Sequence, residues 1–365
     1  MRRTRTFASR TLRRLAASQV TTLLPVALLL TACATVAPPS GIGVPQEQVP
    51  TVTAPSNLEE EALLSLVTQQ DRLYRVAAPL LVNNTELCRG NARNLLGFSA
   101  KTKYSYSAEY TDEAERILGL GERLQVMNIL SGSGAARAGV RRGDTLVTVD
   151  AQPLPQGPNA EREAAAILAP LVSARSSVKL GILRNGESMT LNVPLTNACA
   201  FGIELGNTDI VNAYSDGRRV LVTRGMLKAV RSDEELAYVI AKEMAHNALG
   251  HAIKQRMVAT EGGIIDNLIR VHPDMSTMSG MAGLKPMPQD FDAAADKLSL
   301  YMLARAGYRI DNVVPFWRRM ASEYPASMLN SYTALHPATD YRLAAMETAL
   351  ADIRSKRAAN KVIFP

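Results

Sequence analysis

The most constraining feature of this chain is one helical run that begins after Arg231. Ser232 and Glu235 form a capping box at its start, so two orphan backbone donors are satisfied there. The run continues from Leu236 to His246, with Leu236, Val239 and Ile240 as its core stripe. Lys242, Glu243 and His246 sit inside the same run. Side chains four apart on a helix share a face, so Lys242 and His246 project together. A helix built this way has to pack an apolar side while presenting a cation, an acid and an imidazole at fixed spacing.

The charge and composition decide little else about the core. The 365 residues suffice for two ordinary domains plus tails. A hydrophobic fraction of 47% and a charged fraction of 21% exclude a globally disordered chain. The net charge of +7 comes almost wholly from Arg2, Arg3, Arg5, Arg10, Arg13 and Arg14 in residues 1–32. Without that segment the balance is close to neutral, so the basic pI is no argument for a nucleic-acid partner.

Residues 1–32 read as a signal peptide, an arginine-rich start followed by an apolar run from Leu23 to Leu30. The run is too short to span a bilayer, which needs about 20 residues. Leu30-Thr31-Ala32-Cys33 resembles a bacterial lipobox, which implies lipidation at Cys33. Ala34 rather than Asp after it implies an outer-membrane lipoprotein facing the periplasm, in the bacterial cell envelope. Residues 33–57, rich in Pro, Gly, Thr and Val, read as the tether from that membrane anchor. Cys88 and Cys199 then remain, and two cysteines in an oxidising compartment suggest a disulfide, with a pair of buried free thiols as the alternative. They flank a segment that reads as an insertion, so a bridge would tie its ends together.

That segment, residues 99–196, resembles a bacterial PDZ domain. The resemblance rests on Gly119-Leu120-Gly121, on Gly132 to Val140, and on Arg142-Gly143-Asp144 before an alternating strand from Leu146 to Val149. It implies a carboxylate-binding loop at Gly119, Leu120 and Gly121, and a ligand strand from Leu124 to Ile129 with an open edge for an extended polypeptide. A helix near Asn159–Leu168 is the expected second wall of the groove. A hairpin at Asn185-Gly186 is expected to join 178–183 to 189–193.

In a zinc metallopeptidase helix the motif reads His-Glu-x-x-His. The two imidazoles grip one metal and the Glu activates its water. Here the surroundings carry the likeness: Thr223-Arg224-Gly225-Met226-Leu227 before the helix, and His251 five residues after His246. Downstream come Asp292-Ala293-Ala294-Ala295-Asp296, Ala306-Gly307-Tyr308, and His336-Pro337 with Arg342. These resemble the HtpX-like and BepA-like zinc metalloendopeptidases of peptidase family M48 over most of residues 58–350. The resemblance implies an α+β fold: a mostly helical zincin-like metallopeptidase core (58–98 and 197–365) with a small sheet, plus the inserted β-rich PDZ domain. It also implies a sheet edge that aligns substrate, with Val220–Thr223 as the candidate.

Two positions depart from the family pattern. Lys242 stands in the first-ligand position, and Asp292 replaces the Glu ligand. A lysine of ordinary pKa near 10.4 has no lone pair at neutral pH, and freeing one costs about 4 kcal/mol. Three readings follow. Lys242 replaces the zinc charge and pairs with Asp292 or Glu243, leaving a pseudoprotease. Or His246 and Asp292 bind zinc, with catalytic Glu243 and His336 beside them and His336 as a further ligand. Or these residues only pack the helix pair. Asp296 reads as an acceptor that orients a neighbour and His251 as a second support or a packing residue, while His272 reads as a loop residue. Gly262–Gln289, with Met275, Met278, Met281 and Met287, reads as a mobile lid. The functional expectation is either an envelope quality-control zinc endopeptidase or a non-catalytic scaffold or chaperone for extended polypeptides.

Overall fold

The computed structural model describes residues 57–252, 254, 286–327 and 329–365. The signal peptide, Cys33 and nearly all of its tether, His272, Met275, Met278 and Met281 lie outside the described residues.

Helix α1 (Asn57–Val82) starts with Glu59 and Glu60 in its first turn, where the helix dipole favours acids. Its two halves pack into different cores. Leu63 and Val67 join Ala114, Leu120 and Met127, whereas Leu73, Val76, Ala77, Leu80 and Leu81 enter the main core. One rigid helix therefore links the inserted sheet to the rest.

The chain next forms β1 (Ala92–Leu95), β2 (Phe98–Lys101), α2 (Thr111–Leu118), β3 (Gln125–Ile129) and α3 (Gly134–Arg137). It continues with β4 (Thr145–Val149), β5 (Gln152–Pro153), α4 (Ala160–Ala174), β6 (Ser177–Arg184), β7 (Glu187–Pro194) and β8 (Thr196–Cys199). The antiparallel order is β2-β3-β4-β6-β7, with β5 beside β4. Asn185 (φ 52°) and Gly186 (φ 83°) both take the left-handed conformation that a two-residue hairpin turn requires. Leu124, Val126, Val149, Leu180, Ile182 and Val193 fill a core of their own under this sheet. Where the chain enters and leaves the insertion, β1 pairs with β8, and Ala92 faces Cys199. Cys199 is disulfide-bonded to Cys88, with Cα atoms 5.5 Å apart.

The second sheet holds β9 (Gly202–Gly206), β10 (Ala213–Ser215) and β11 (Arg219–Thr223) in the order β10-β11-β9. This corrects the expectation that Val220–Thr223 is an edge. β11 is central, antiparallel to β10 and parallel to β9, because the chain crosses over after β9 before returning as the hairpin. Thr223 ends the strand and accepts from Met226 N at 3.1 Å, capping helix α5 (Arg224–Ala229). Gly225 lets the backbone turn there. A Cβ on it would lie 2.2 Å from Asp209 O and 2.5 Å from Ile210 O. Gly225→Ala is expected to destabilise the protein by about 1–3 kcal/mol in urea unfolding, as overpacking does.

Helices α6 (Asp233–Ala248), α7 (Gln289–Arg305), α8 (Val313–Glu323), α9 (Ser331–Leu335) and α10 (Asp340–Ala358) complete the fold. α6 lies against α7, and α7 against α10. Every residue of α6 from Leu236 to Asn247 is buried. A helix buried all round has no solvated face for its polar side chains, so Lys242, Glu243 and His246 must find partners inside the protein.

Candidate active site

Three helices and one turn converge on those side chains. α6 contributes Lys242, Glu243 and His246; α7 contributes Asp292 and Asp296; the turn after α9 contributes His336; α10 contributes Arg342. None of these seven residues is more than 6% exposed.

Lys242 Nζ lies 3.1 Å from Asp292 Oδ1 and 3.2 Å from Asp296 Oδ1, and 5.2 Å from the centre of the Trp317 ring. Arg342 grips Asp296 with two N–H groups at 2.6 and 3.0 Å. It also donates to the carbonyls of His336 and Pro337 at 2.8 and 2.7 Å, which fixes the turn that carries His336. Two cations thus face two carboxylates without solvent. Burial alone would raise the Asp292 carboxyl, but Lys242, with the two histidines, holds it well below the usual carboxylate range. Burial likewise opposes the Arg342 charge, and Asp296 more than restores it.

Asp296 thus accepts from a neighbour, and that neighbour is a cation rather than a histidine. Asp296 pairs with Lys242 and Arg342, and the contacts to histidine belong to Asp292 instead. Asp292 Oδ1 is 2.7 Å from His336 Nδ1 and 3.2 Å from His246 Nε2. The i+4 step on α7 turns Asp292 toward the imidazoles and Asp296 toward Arg342. Burial lowers the pKa of both His246 and His336, so both tend to the neutral form. His251 stacks on Phe291, and its Nδ1 is 3.0 Å from His246 Nδ1, which makes it a direct support of that ring. Burial, then His246, lowers His251 to about 4.

Glu243 accepts from Ser215 Oγ at 2.8 Å and Tyr332 OH at 3.1 Å, with His336 Nε2 at 3.8 Å. Burial raises its pKa, and His246, the Ser215 hydroxyl, Lys242 and the Tyr332 hydroxyl oppose the rise. The sequence reading does not reach Ser215 or Tyr332. Tyr332 lies one helical turn before His336, a spacing that signals a shared direction.

His246, Asp292 and His336 offer donor atoms that all lie within 4.8 Å of one another, a group of a kind that can hold a metal. His246 Nε2 and Asp292 Oδ2 are buried without a hydrogen-bond partner, and the 3.2 Å between His246 Nε2 and Asp292 Oδ1 suits two ligands of one zinc. The rest of the set does not fit. His336 Nδ1 is engaged by Asp292, and the Lys242 side chain approaches the same Asp292 oxygen from the position where the motif needs an imidazole. With Lys242 charged, a divalent cation would be a third positive group beside Lys242 and Arg342.

The groove of the inserted sheet lies elsewhere than expected. β3 is interior, paired to β2 and β4, so Leu124–Ile129 offers no open edge. The edge is β2, and a cavity of about 430 Å³ separates it from α4, lined by Leu96, Phe98, Ala100, Leu124, Ala164 and Leu168 among others. Of the four expected residues, only Leu124 lines this cavity. Gly119 (φ 65°) ends α2, Leu120 is buried against α1, and the Gly121 carbonyl accepts from Lys103 N. The overlooked signal is Leu95-Leu96-Gly97-Phe98. Gly97 has φ 86°, and a Cβ on it would lie 2.6 Å from Ser133.

Comparison with known proteins bears on these parts separately. Fifty chains of solved structures match. The HtrA3 PDZ domain bound to a phage-derived ligand is 19% identical, covering 29% of this chain and 88% of that one with a TM-score of 0.22. The HtrA-type protease AlgW with a decapeptide is 24% identical, covering 29% of this chain and 30% of that one with a TM-score of 0.23. Mitochondrial metalloendopeptidase OMA1 of Arabidopsis thaliana is 29% identical over 135 residues, which are 36% of this chain and 28% of that protein. OMA1 of Schizosaccharomyces pombe is 24% identical over 147 residues, 39% of this chain and 44% of that protein. The chain thus spans less than half the length of the curated relatives it matches. The profile described as Peptidase family M48 matches residues 188–350. Residues 188–350, which hold the whole Lys242 cluster, are thus the part of this chain that is similar to peptidase family M48.

Proposed function

We propose that this protein is a polypeptide-binding member of the metalloendopeptidase group whose site works without zinc. In this reading it is a lipid-anchored envelope protein that holds extended or misassembled chains through its PDZ-like insertion and its peptidase-like cleft. The observation that carries the reading is the contact of Lys242 Nζ with both Asp292 and Asp296, at 3.1 and 3.2 Å. An ammonium between two buried carboxylates supplies the positive charge that a metal gives related sites. It holds α6 to α7 with no ion to acquire or lose. Extended chain would be gripped at two edges. β2 offers main-chain groups beside the apolar wall of α4, and β10 carries Ser215 next to Glu243. The zincin-like character of the core, the Cys33 anchor and the periplasmic site belong to this proposal.

A second reading, an active zinc endopeptidase using His246, Asp292 and His336, is favoured by the unpaired His246 Nε2 and Asp292 Oδ2. Zinc content of the soluble protein beginning after Cys33 separates the two. The expected result is no zinc in the wild type and about one zinc per chain in Lys242→His, because the variant restores two imidazoles at i and i+4. About one zinc in the wild type, lost in Asp292→Ala, would overturn the proposal in favour of the second reading.

A further inference from the structure

β9 is an edge strand, paired only with β11 among the described strands. Gly202 is in register with Arg219 and donates its N–H to Arg218 O at 3.0 Å. In a parallel ladder alternate residues turn their main chain to the same neighbour. Gly202, Glu204 and Gly206 therefore face β11, and Ile203 and Leu205 turn both N–H and C=O the other way. No described residue bonds to those outward groups. An open row of this kind is a template for another strand.

A cleft follows the open edge. A cavity of about 390 Å³ lies between Ile203, Glu204 and Leu205 on one side and Ser99, Lys101 and Asn128 of the insertion on the other. A second, of about 450 Å³, runs on from Leu205 and Gly206 to Tyr106. Gln70 and Leu205 line both, so the two adjoin. Each lies in the size range of ligand pockets, about 300–1,000 Å³. Of the charges at its walls, Arg224 pairs with Asp209 at 2.9 Å and Glu204 with Arg219 at 3.3 Å, while Lys101 and Glu109 carry opposite charges and make no ion pair among the described residues. Two polar atoms are not answered. Gln69 Oε1 and Tyr106 OH are buried without a partner. Gln69 Nε2 is held by Ser65 Oγ at 2.9 Å, which leaves the carbonyl as the unused acceptor. Burial raises Tyr106 to about 12, so its hydroxyl keeps its proton and can donate. A cleft whose two cations and two anions balance, with a spare acceptor, a spare donor and an open strand edge, complements neutral main chain, which carries both kinds of group at every residue.

We propose that the cleft between β9 and the inserted domain is a docking site for an extended polypeptide segment, which adds to β9 through the main chain of Ile203 and Leu205. This surface meets β2 at Ser99 and Lys101, whereas the β2–α4 groove is lined by Phe98 and Ala100, and the inference holds whether or not the Lys242 site binds zinc. Residue-resolved amide exchange of the soluble protein tests it, with reduced, carboxymethylated α-lactalbumin as a permanently unfolded probe. In the probe-free protein, the Ile203 and Leu205 amides are expected to exchange at least about tenfold faster than Glu204, and the probe is expected to slow them about tenfold. Gln70→Trp, which fills the shared part of the cleft, abolishes that slowing and leaves any probe effect at Leu96 and Phe98 unchanged. Tyr106→Phe, a milder change, reduces it. Slow exchange at Ile203 and Leu205 without probe, probe protection at Leu96 and Phe98 alone, or protection that survives Gln70→Trp would each overturn the proposal.

Discussion

Lys242→Met is expected to lower the unfolding free energy by about 3–5 kcal/mol, read from the urea midpoint of the soluble protein. The side chains are similar in length, so the loss is one of charge more than of volume. In the wild type the Lys242 ammonium sits between Asp292 and Asp296, and none of the three is more than 1% exposed. Methionine leaves two carboxylates facing the single guanidinium of Arg342, which lies 2.6 Å from Asp296 and 3.7 Å from Asp292. An uncompensated buried charge costs more than the original pair contributed. The sign can be checked against a double variant. Lys242→Met with Asp292→Asn removes one cation and one anion together, so its cost is expected to be clearly smaller than the sum of the two single changes. A strictly additive result would mean that the two groups do not interact, and the charge-replacement account of the site would fail.

The local patterns of this site are legible in the sequence, and its arrangement is not. The Ser232 cap and the hairpin turn at Asn185-Gly186 each follow from interactions within a few residues, and the structure has both, although the Glu235 carboxylate accepts from Arg231 N rather than closing a capping box on Ser232 N. The spacing on α6 likewise fixes that Lys242 and His246 share a direction. What lies opposite them depends on how α7 and α10 pack, across 50 to 100 residues of chain. That is why the pairing of Asp296 with Arg342, and of Glu243 with Ser215 and Tyr332, was out of reach of local pattern. Strand order fails for the same reason. Val220–Thr223 has the alternation of a half-buried strand, but periodicity describes faces and says nothing about lateral neighbours, so a central strand was read as an edge. The groove of the insertion was displaced by a look-alike. Gly119-Leu120-Gly121 and Leu96-Gly97-Phe98 both place glycine among apolar residues ahead of a strand. Only the tertiary fold shows that the first ends α2 and the second opens the edge strand.

Replacing Cys88 and Cys199 together by alanine is expected to cost about 4–5 kcal/mol in urea unfolding, the second large effect. The two cysteines are 111 residues apart, and a cross-link closing a loop of about 100 residues restricts the unfolded chain by roughly that amount. Alanine is the suitable substitution because both sulfurs are buried, at 1% and 0% exposure, where serine would add unpaired hydroxyls. The closed loop contains the whole inserted sheet, so the bridge acts where the chain leaves the core and returns to it. β1 and β8 pair there as well, with Ala92 opposite Cys199. Without the bridge, that four-residue ladder and the contacts of α1 with Ala114, Leu120 and Met127 remain to couple the two parts. The unfolding curve of the alanine pair is therefore expected to broaden or divide, with signals from the insertion and from the helical core no longer coincident. Wild-type protein treated with a reductant should behave like the alanine pair. If both proteins instead unfold in one sharp step at the oxidised midpoint, α1 and the β1–β8 ladder suffice to couple the insertion to the core, and the disulfide contributes nothing to holding the β2–α4 groove against the rest of the protein.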